Sequence, residues 1–523
     1  MSILSTSLLS SFLRALRAAG WRIADAPLPG MRNAESGMRN AKWRWAAIAV
    51  SLAFGVVFSA YSIWLQTAFR ASCDTAIHAQ LLWNLSNGGF FETSFFPYSF
   101  AGNHFWPALY AVVPFFRAFG VSGMLALQAF LVGFGAWVAY RLCENETRSP
   151  RWAFLVACAY LCCPTISSGV LFDFHFELFS VPFSLLTLLW LQEGKWSFVF
   201  PLLLSLGFYE VNGLVWPVAG LLAMISRDGH RRCMGVTLFL LATAYFVIVA
   251  GFVMPHFRGI PDPHVWVRYS HLGKTPAEAV ANIIRHPFAS LASSVGGKDL
   301  ASLRLFLAFG MLPVFGLWKL LPAIPLWLML VFSNWDWTSD IRYGYFAPVV
   351  PFLVSASCLA VARIRKCAAL VRRECLFAAL SALCMCWTVS FYQVSKPMRR
   401  HPFVLRSNLP ELSVAVSLIP EGDSISADSH ICPMLYRRRQ LQSTPDTTWH
   451  GGRCRWMCVD LRESADKSPG WSKRIAGMVS PRGYGVVWFQ NDVAVLKFGE
   501  GCEQMTRCFL ARLSELAESG KLP

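Results

Sequence analysis

The sequence predicts a mainly α-helical, polytopic membrane protein that carries a small α/β domain at its C-terminal end. Three observations predict it. Of 523 residues, 55% are hydrophobic and only 15% are charged, where a soluble chain carries about 25% charged residues. Apolar runs close to the roughly 20 residues that a helix needs to cross a bilayer recur from Trp45 to about residue 392. Beyond residue 394 the apolar runs shorten to strand length and polar residues separate them.

The net charge of +17 lies largely in short loops between apolar runs. That distribution sets membrane topology, so a membrane lipid is the expected partner and nucleic acid is not. No Walker A, G-x-S-x-G or H-E-x-x-H pattern is present, which argues against soluble nucleotide or hydrolase chemistry. The 16 cysteines form no C-x-x-C pair. Most lie inside apolar segments and read as small core residues. Those in the tail, Cys432, Cys454, Cys458, Cys502 and Cys508, leave room for a disulfide without indicating which.

Residues 1–44 are Arg-rich, and Pro27, Pro29 and Gly30 break any long span. They read as a basic cytoplasmic arm, with a short amphipathic helix through Leu13–Ala18. The first span runs from Trp45 to about Gln66, and an outer loop, 67–120, follows. Within that loop Phe105–Gly120 is apolar but short, and it holds Pro107, Pro114 and Arg117. If it lies along the interface, the basic loops 141–151, 227–232 and 363–373 all fall on the cytoplasmic side. If it crosses, the last two move outside, which the positive-inside rule disfavours. The expected transmembrane domain is therefore 45–393, with about 11 spans and a second outer loop at 255–300. Residues 394–523 form an extracytoplasmic α/β domain. Its strands are expected at Asp423–Ala427 and Trp456–Leu461 and in a hairpin of Tyr484–Phe489 with Val493–Phe498, and Cys502–Glu518 is its closing helix.

This topology gathers acids and histidines on the outer side. Asp74 and His78, spaced i, i+4, share a helical side with Ile77, Leu81 and Leu85. They read either as a functional pair or as an N-cap and a core histidine. His104 follows in Gly102-Asn103-His104. Asp173, His175 and Glu177 alternate with aromatics in Leu171–Phe179 and would share one face of an extended chain. Their donors suit a divalent cation, or a hydrogen-bonded cap on a span. Glu210 interrupts a long apolar run, which is either functional or a short outer turn. Arg342 could hold a phosphate through its planar fork, or simply pair with Asp340. The 255–300 loop is basic and His-rich (His256, Arg258, His264, Arg268, His271, Lys274, Arg285, His286). It suits an anionic headgroup or a solvated surface.

Taken together, Asp74 with Gln80, Trp83 and Asn84, Gly102 with His104 and Pro107, Phe172 to Glu177, Glu210, and Tyr343 to Pro348 resemble a bacterial family of predicted membrane proteins, domain of unknown function 2079. Two departures stand out: Thr75-Ala76 replace an apolar-Gly pair, and Asn212 stands where an Asp is expected. That family is similar to the GT-C glycosyltransferases, which take a sugar from a polyprenyl-phosphate carrier at the outer face. The resemblance implies an inner-membrane enzyme with Asp74, His78 and His104 as catalytic residues. It implies Asp173, His175, Glu177, Glu210 and Arg342 as substrate-binding residues, a lipid-linked sugar donor, and a divalent cation as a possible cofactor on Asp173, His175 and Glu177. The rival readings are a transporter or lipid-handling protein using the same cluster, and a non-catalytic scaffold.

Overall fold

The computed structural model describes residues 34–259, 267–295, 301–366, 374–388, 405–449, 452–462, 467–480 and 482–523. The expected helix at Leu13–Ala18 and His264 lie outside the described residues.

The first apolar run forms helix α1 (Ala34–Thr67). Helix α2 (Cys73–Ser86) follows; its Ser72 N-cap lies in extended backbone and accepts the Asp74 N–H, the usual cap for an otherwise unpaired donor. The segment Phe105–Gly120 contains no helix long enough to cross. A short 3₁₀ turn at Pro107–Ala111 leads into α3 (Val113–Thr147). Gly120, with φ 59° and ψ −151°, breaks α3 near its start. The two turns before that break span only about 10 Å. The glycine supplies a left-handed conformation that other residues adopt only under strain.

Hydrogen bonds sort the helix ends into two poles. At the basic pole Arg44 forks onto Glu144 (3.1 and 3.2 Å), Asn145 meets Glu193 (3.1 Å), His230 meets the Gly194 carbonyl (2.8 Å), and Arg365 donates to the Thr147 carbonyl. At the opposite pole lie the end of α1, all of α2, and residues 102–106, 171–177, 209–210 and 335–345. Helices α4 (Pro150–Cys162) and α5 (Pro164–Phe172), bent by 40° at Cys163, run between the poles. So do Phe176–Gln192, Trp196–Phe208 and Asn212–Met224, which have 10–17 residues each.

The expected count of about 11 spans is not confirmed among the described residues. Five helices are long and apolar enough to cross a membrane, or six if the bent pair is one span. Proline and glycine cut the remainder into pieces. The expected span at 301–318 is three short helical stretches, and the run long and apolar enough to cross is Leu312–Phe332, itself kinked at Gly316. Part of the last expected span, beyond Thr388, lies outside the described residues.

The tail folds as a five-stranded sheet in the order β2-β1-β5-β7-β6. Its strands are β1 (Ile425–Ala427), β2 (Leu441–Ser443), β5 (Trp456–Asp460), β6 (Tyr484–Gln490) and β7 (Val493–Phe498); β3 (Thr448–Trp449) and β4 (Gly452–Arg453) pair separately. β2, β1 and β5 are parallel. β6 and β7 form the expected hairpin, turning at Asn491 and Asp492 with positive φ (49° and 67°), as a tight two-residue hairpin requires. The closing helix is Glu503–Glu518. Strand β2 and the helices Leu409–Ser417 and Trp471–Met478 were not expected. The described tail cysteines are all free thiols.

At the C-terminal edge of the parallel strands, Asp428 follows β1, Thr444 follows β2 and Asp460 ends β5. Asp428 accepts the Asp460 N–H (2.8 Å) and meets Lys467 (3.2 Å). Asp460, fully buried, takes Asn408 (3.0 Å), Arg406 (3.3 Å) and His430 (3.3 Å). Burial disfavours the Asp460 charge, but these donors outweigh it and hold the carboxyl down at about 2. This network fixes the loop after β1, which touches the membrane domain. Phe69 and Ala76 share an apolar cluster with Leu412, Ile425 and Leu441, so the tail packs directly on the start of α2.

Candidate functional site

The site is built around α2, which carries Asp74 half-buried in its first turn and His78 one turn further in. His78 is buried in a ring cage. It stacks on Trp106 (5.6 Å between centroids) and meets Phe176 (5.4 Å), Phe174 (5.7 Å) and His175 (6.2 Å) edge-on. Burial pushes its imidazole down to about 3, against the pull of nearby Glu177, so the ring is neutral. Its Nδ1 is buried and has no hydrogen-bond partner among the described residues.

His104 and Glu210 come together from separate loops. His104 Nδ1 lies 2.7 Å from Glu210 Oε1, and Trp106 Nε1 donates to Glu210 Oε2 (2.8 Å). The His104 and Trp106 rings stack at 4.7 Å. Burial works against a charge on His104, but the Glu210 carboxylate outweighs it and holds the imidazole above its ordinary value. Gly102 is required by a close approach: a Cβ there would lie 2.6 Å from the Arg258 backbone nitrogen, while Arg258 Nε donates to the Gly102 carbonyl (2.9 Å).

The loop between α5 and the next helix splits its three polar residues. Asp173 turns toward α2, accepting the Ser72 N–H (3.2 Å) and the hydroxyls of Ser72 and Thr75. Burial and the Asp74 charge raise its carboxyl. His175 and Glu177 face each other, Nδ1 to Oε2, at 3.6 Å, close enough for an ion pair and too long for a hydrogen bond. Gln128 orients the loop, accepting the His175 N–H (2.7 Å) and donating to the Asp173 carbonyl (3.2 Å). Asp173, His175 and Glu177 therefore do not form the cation site expected of them. Among the described residues no group of three His, Cys, Asp or Glu side chains is arranged to hold a metal ion.

Arg342 is held by Asp340 through Nε (2.9 Å to both oxygens) and Nη2. The cation whose charge reaches His104, Tyr209 and Tyr345 is instead Arg268. Its guanidinium lies over the Trp335 ring at 4.2 Å, and its Nε is buried with no hydrogen-bond partner among the described residues. Arg268 was one of several cations in the 255–300 loop, and no local pattern singles it out. Trp106, Ser72, Gln128 and Gln80 also acquire partners that only the fold reveals.

Burial opposes the charged form of His175, but Glu177 outweighs it and lifts the imidazole to about 9 from an ordinary 6.5. A raised folded value means the stabilisation is complete below about pH 6.5 and is lost as pH rises through about 9, an effect of at most about 3 kcal/mol. The melting temperature in detergent should therefore fall between about pH 6 and about pH 10. His175→Gln should flatten that fall, and equal slopes in the two proteins would remove the pair from the balance.

One family model, for a predicted membrane protein, matches residues 62–474. No curated protein matches the sequence. Among solved structures, ArnT from Cupriavidus metallidurans bound to undecaprenyl phosphate is similar with a TM-score of 0.49 and 14% identity, covering 86% of this chain and 97% of that one. The apo state of the same protein gives 0.46, with the same identity and coverage. Likeness at this level has no bearing on chemistry. The family match spans most of the membrane domain, both sides of the site and much of the tail: the chain belongs to the DUF2079 family of predicted membrane proteins.

Proposed function

We propose that the chain is an integral-membrane glycosyltransferase that moves a sugar from a polyprenyl-phosphate carrier to an acceptor hydroxyl at the outer face of a bacterial inner membrane. The observation that carries this reading is the gathering of ionisable groups on neighbouring loops: half-buried Asp74 on the helix whose start Asp173 holds, His175 facing Glu177 at 3.6 Å, and Arg268 over Trp335 with a buried Nε that has no hydrogen-bond partner among the described residues. Asp74 takes the proton of the acceptor hydroxyl. The acceptor oxygen bonds to the anomeric carbon, and the bond from that carbon to the lipid phosphate breaks, its electron pair leaving on the phosphate. Arg268 and protonated His175 stabilise the departing phosphate. Glu210, His104 and Trp106 form a rigid wall, and neutral His78 lies beneath Asp74. The sequence resemblance to GT-C enzymes supports the same reading.

A transporter would place its ionisable residues near the middle of the bundle. Here they gather at one pole, and a transporter is the weaker reading. The arrangement further implies an N-terminus in the cytoplasm and a tail outside. In a background otherwise lacking cysteines, Asn87→Cys, exposed at the end of α2, should react with an impermeant thiol reagent in intact cells. Cys233, exposed at the basic pole, should react only after lysis. Labelling of Cys233 from outside would invert the topology and end the outer-face mechanism.

A further inference from the structure

The tail packs against the helix that carries Asp74 at several points. At its start, the Cys73 N–H donates to Ser429 Oγ at 3.0 Å. At its middle, fully buried Gln80 donates to the Arg438 carbonyl (2.8 Å) and to Ser94 Oγ (2.9 Å), while its Oε1 accepts Thr93 Oγ1 (2.7 Å) and the Ser94 N–H (2.9 Å). Ser94 in turn exchanges hydrogen bonds with Leu441 in both directions (2.6 and 2.8 Å). Every polar atom of the Gln80 side chain is thus committed to joining α2, the following loop and the tail.

The first turn of α2 is the most composite part. Its cap is assembled from three segments: Ser72 accepts the Asp74 N–H, Asp173 takes the hydroxyls of Ser72 and Thr75, and Ser429 takes the Cys73 N–H. Only the first of these is local. Ser429 is itself held between two anchored neighbours, since Asp428 and His430 belong to the buried network around Asp460. The hydroxyl is therefore presented by an anchored turn just past β1. A first-turn donor satisfied by such a group fixes both the helix start and the direction of the side chain next along, Asp74.

We propose that Ser429 is a positioning residue for Asp74, which makes the tail a working part of the site. The inference rests on the glycosyltransferase reading above for its catalytic half and on geometry alone for its structural half. The test uses the full-length protein in detergent or nanodiscs, with wild type, Ser429→Ala and Ser429→Thr compared in two measurements. The first is hydrogen exchange of peptides covering Cys73–Ala76. Ala should speed exchange there and Thr should restore protection, because Thr keeps the accepting hydroxyl. The second is transfer from a polyprenyl-phosphate sugar. Ala should lower kcat about tenfold or more with KM for the donor little changed, and Thr should recover it, as expected when a reacting group is misplaced by a fraction of an ångström. Unchanged exchange in Ser429→Ala overturns the proposal whatever the activity. Faster exchange with wild-type kcat shows a clamp that does not position the base, and overturns it as well. Faster exchange in a protein whose wild type transfers no sugar upholds the clamp and overturns the glycosyltransferase reading instead.

Discussion

If the chain is the proposed glycosyltransferase, Asp74→Asn should abolish sugar transfer, a fall of at least about a hundredfold in kcat, while the amount of protein in the membrane should stay at the wild-type level. The magnitude follows from the role. Asn has nearly the same shape but cannot accept the proton of an attacking hydroxyl, so the loss falls on the chemical step. The unchanged abundance follows from position. Asp74 is half-buried and its backbone N–H, not its carboxylate, makes the local cap to Ser72, so the helix start survives the change. Removing the Asp74 charge also relieves Asp173, whose carboxyl is raised by burial and by that charge, and this should leave the fold no worse. The measurement is release of polyprenyl phosphate by purified protein, alongside quantitative immunoblotting of membranes. Retained transfer in the variant would take Asp74 out of the mechanism.

The second large effect is expected at Arg268. Arg268→Gln should lower kcat by about a hundredfold or more, in the range seen when one preorganised donor to a developing negative charge is removed. Arg342→Gln should be nearly silent. The contrast is the informative part. Arg342 is engaged by both oxygens of Asp340, so its charge is already neutralised locally. Arg268 instead lies against Trp335 with a buried Nε that has no protein partner among the described residues. Holding an unpaired guanidinium nitrogen out of water is costly, and a phosphate oxygen is a partner that would repay it. Arg268→Lys keeps the charge but loses the planar fork, and should recover only part of the rate. If Arg342→Gln were the damaging substitution and Arg268→Gln the harmless one, the phosphate would have to be placed at the 340–342 turn.

The family motifs divide once they are placed in three dimensions. Glu210 and His104 are each plain in the sequence as polar residues in apolar surroundings, and the fold joins them at 2.7 Å. Gln80 looks like part of the same chemical pattern, yet its hydrogen bonds tie α2 to the following loop and, through the Arg438 carbonyl, to the tail. Asp173 looks like one of three equivalent donors, yet its carboxylate is taken up by the hydroxyls of Ser72 and Thr75 at the start of α2, while His175 and Glu177 face each other. Thr75, a departure from the family pattern, supplies one of the hydroxyls that Asp173 accepts.

The sequence by itself determined the membrane class, the first long helix, the β6–β7 hairpin and the residues from which a site could be made. Each of these rests on something local: apolar run length, alternation or a two-residue turn. The tertiary structure decided which of those residues meet. Asp173 reaches Ser72 across 101 positions, Ser429 reaches Cys73 across 356 and Gln80 reaches Arg438 across 358. It also paired Arg342 with Asp340 and laid Arg268, carried in on a distant loop, over Trp335 with a buried Nε that has no hydrogen-bond partner among the described residues. Helices and turns follow from neighbours along the chain. The partners of a buried charge follow from packing, which local patterns do not encode.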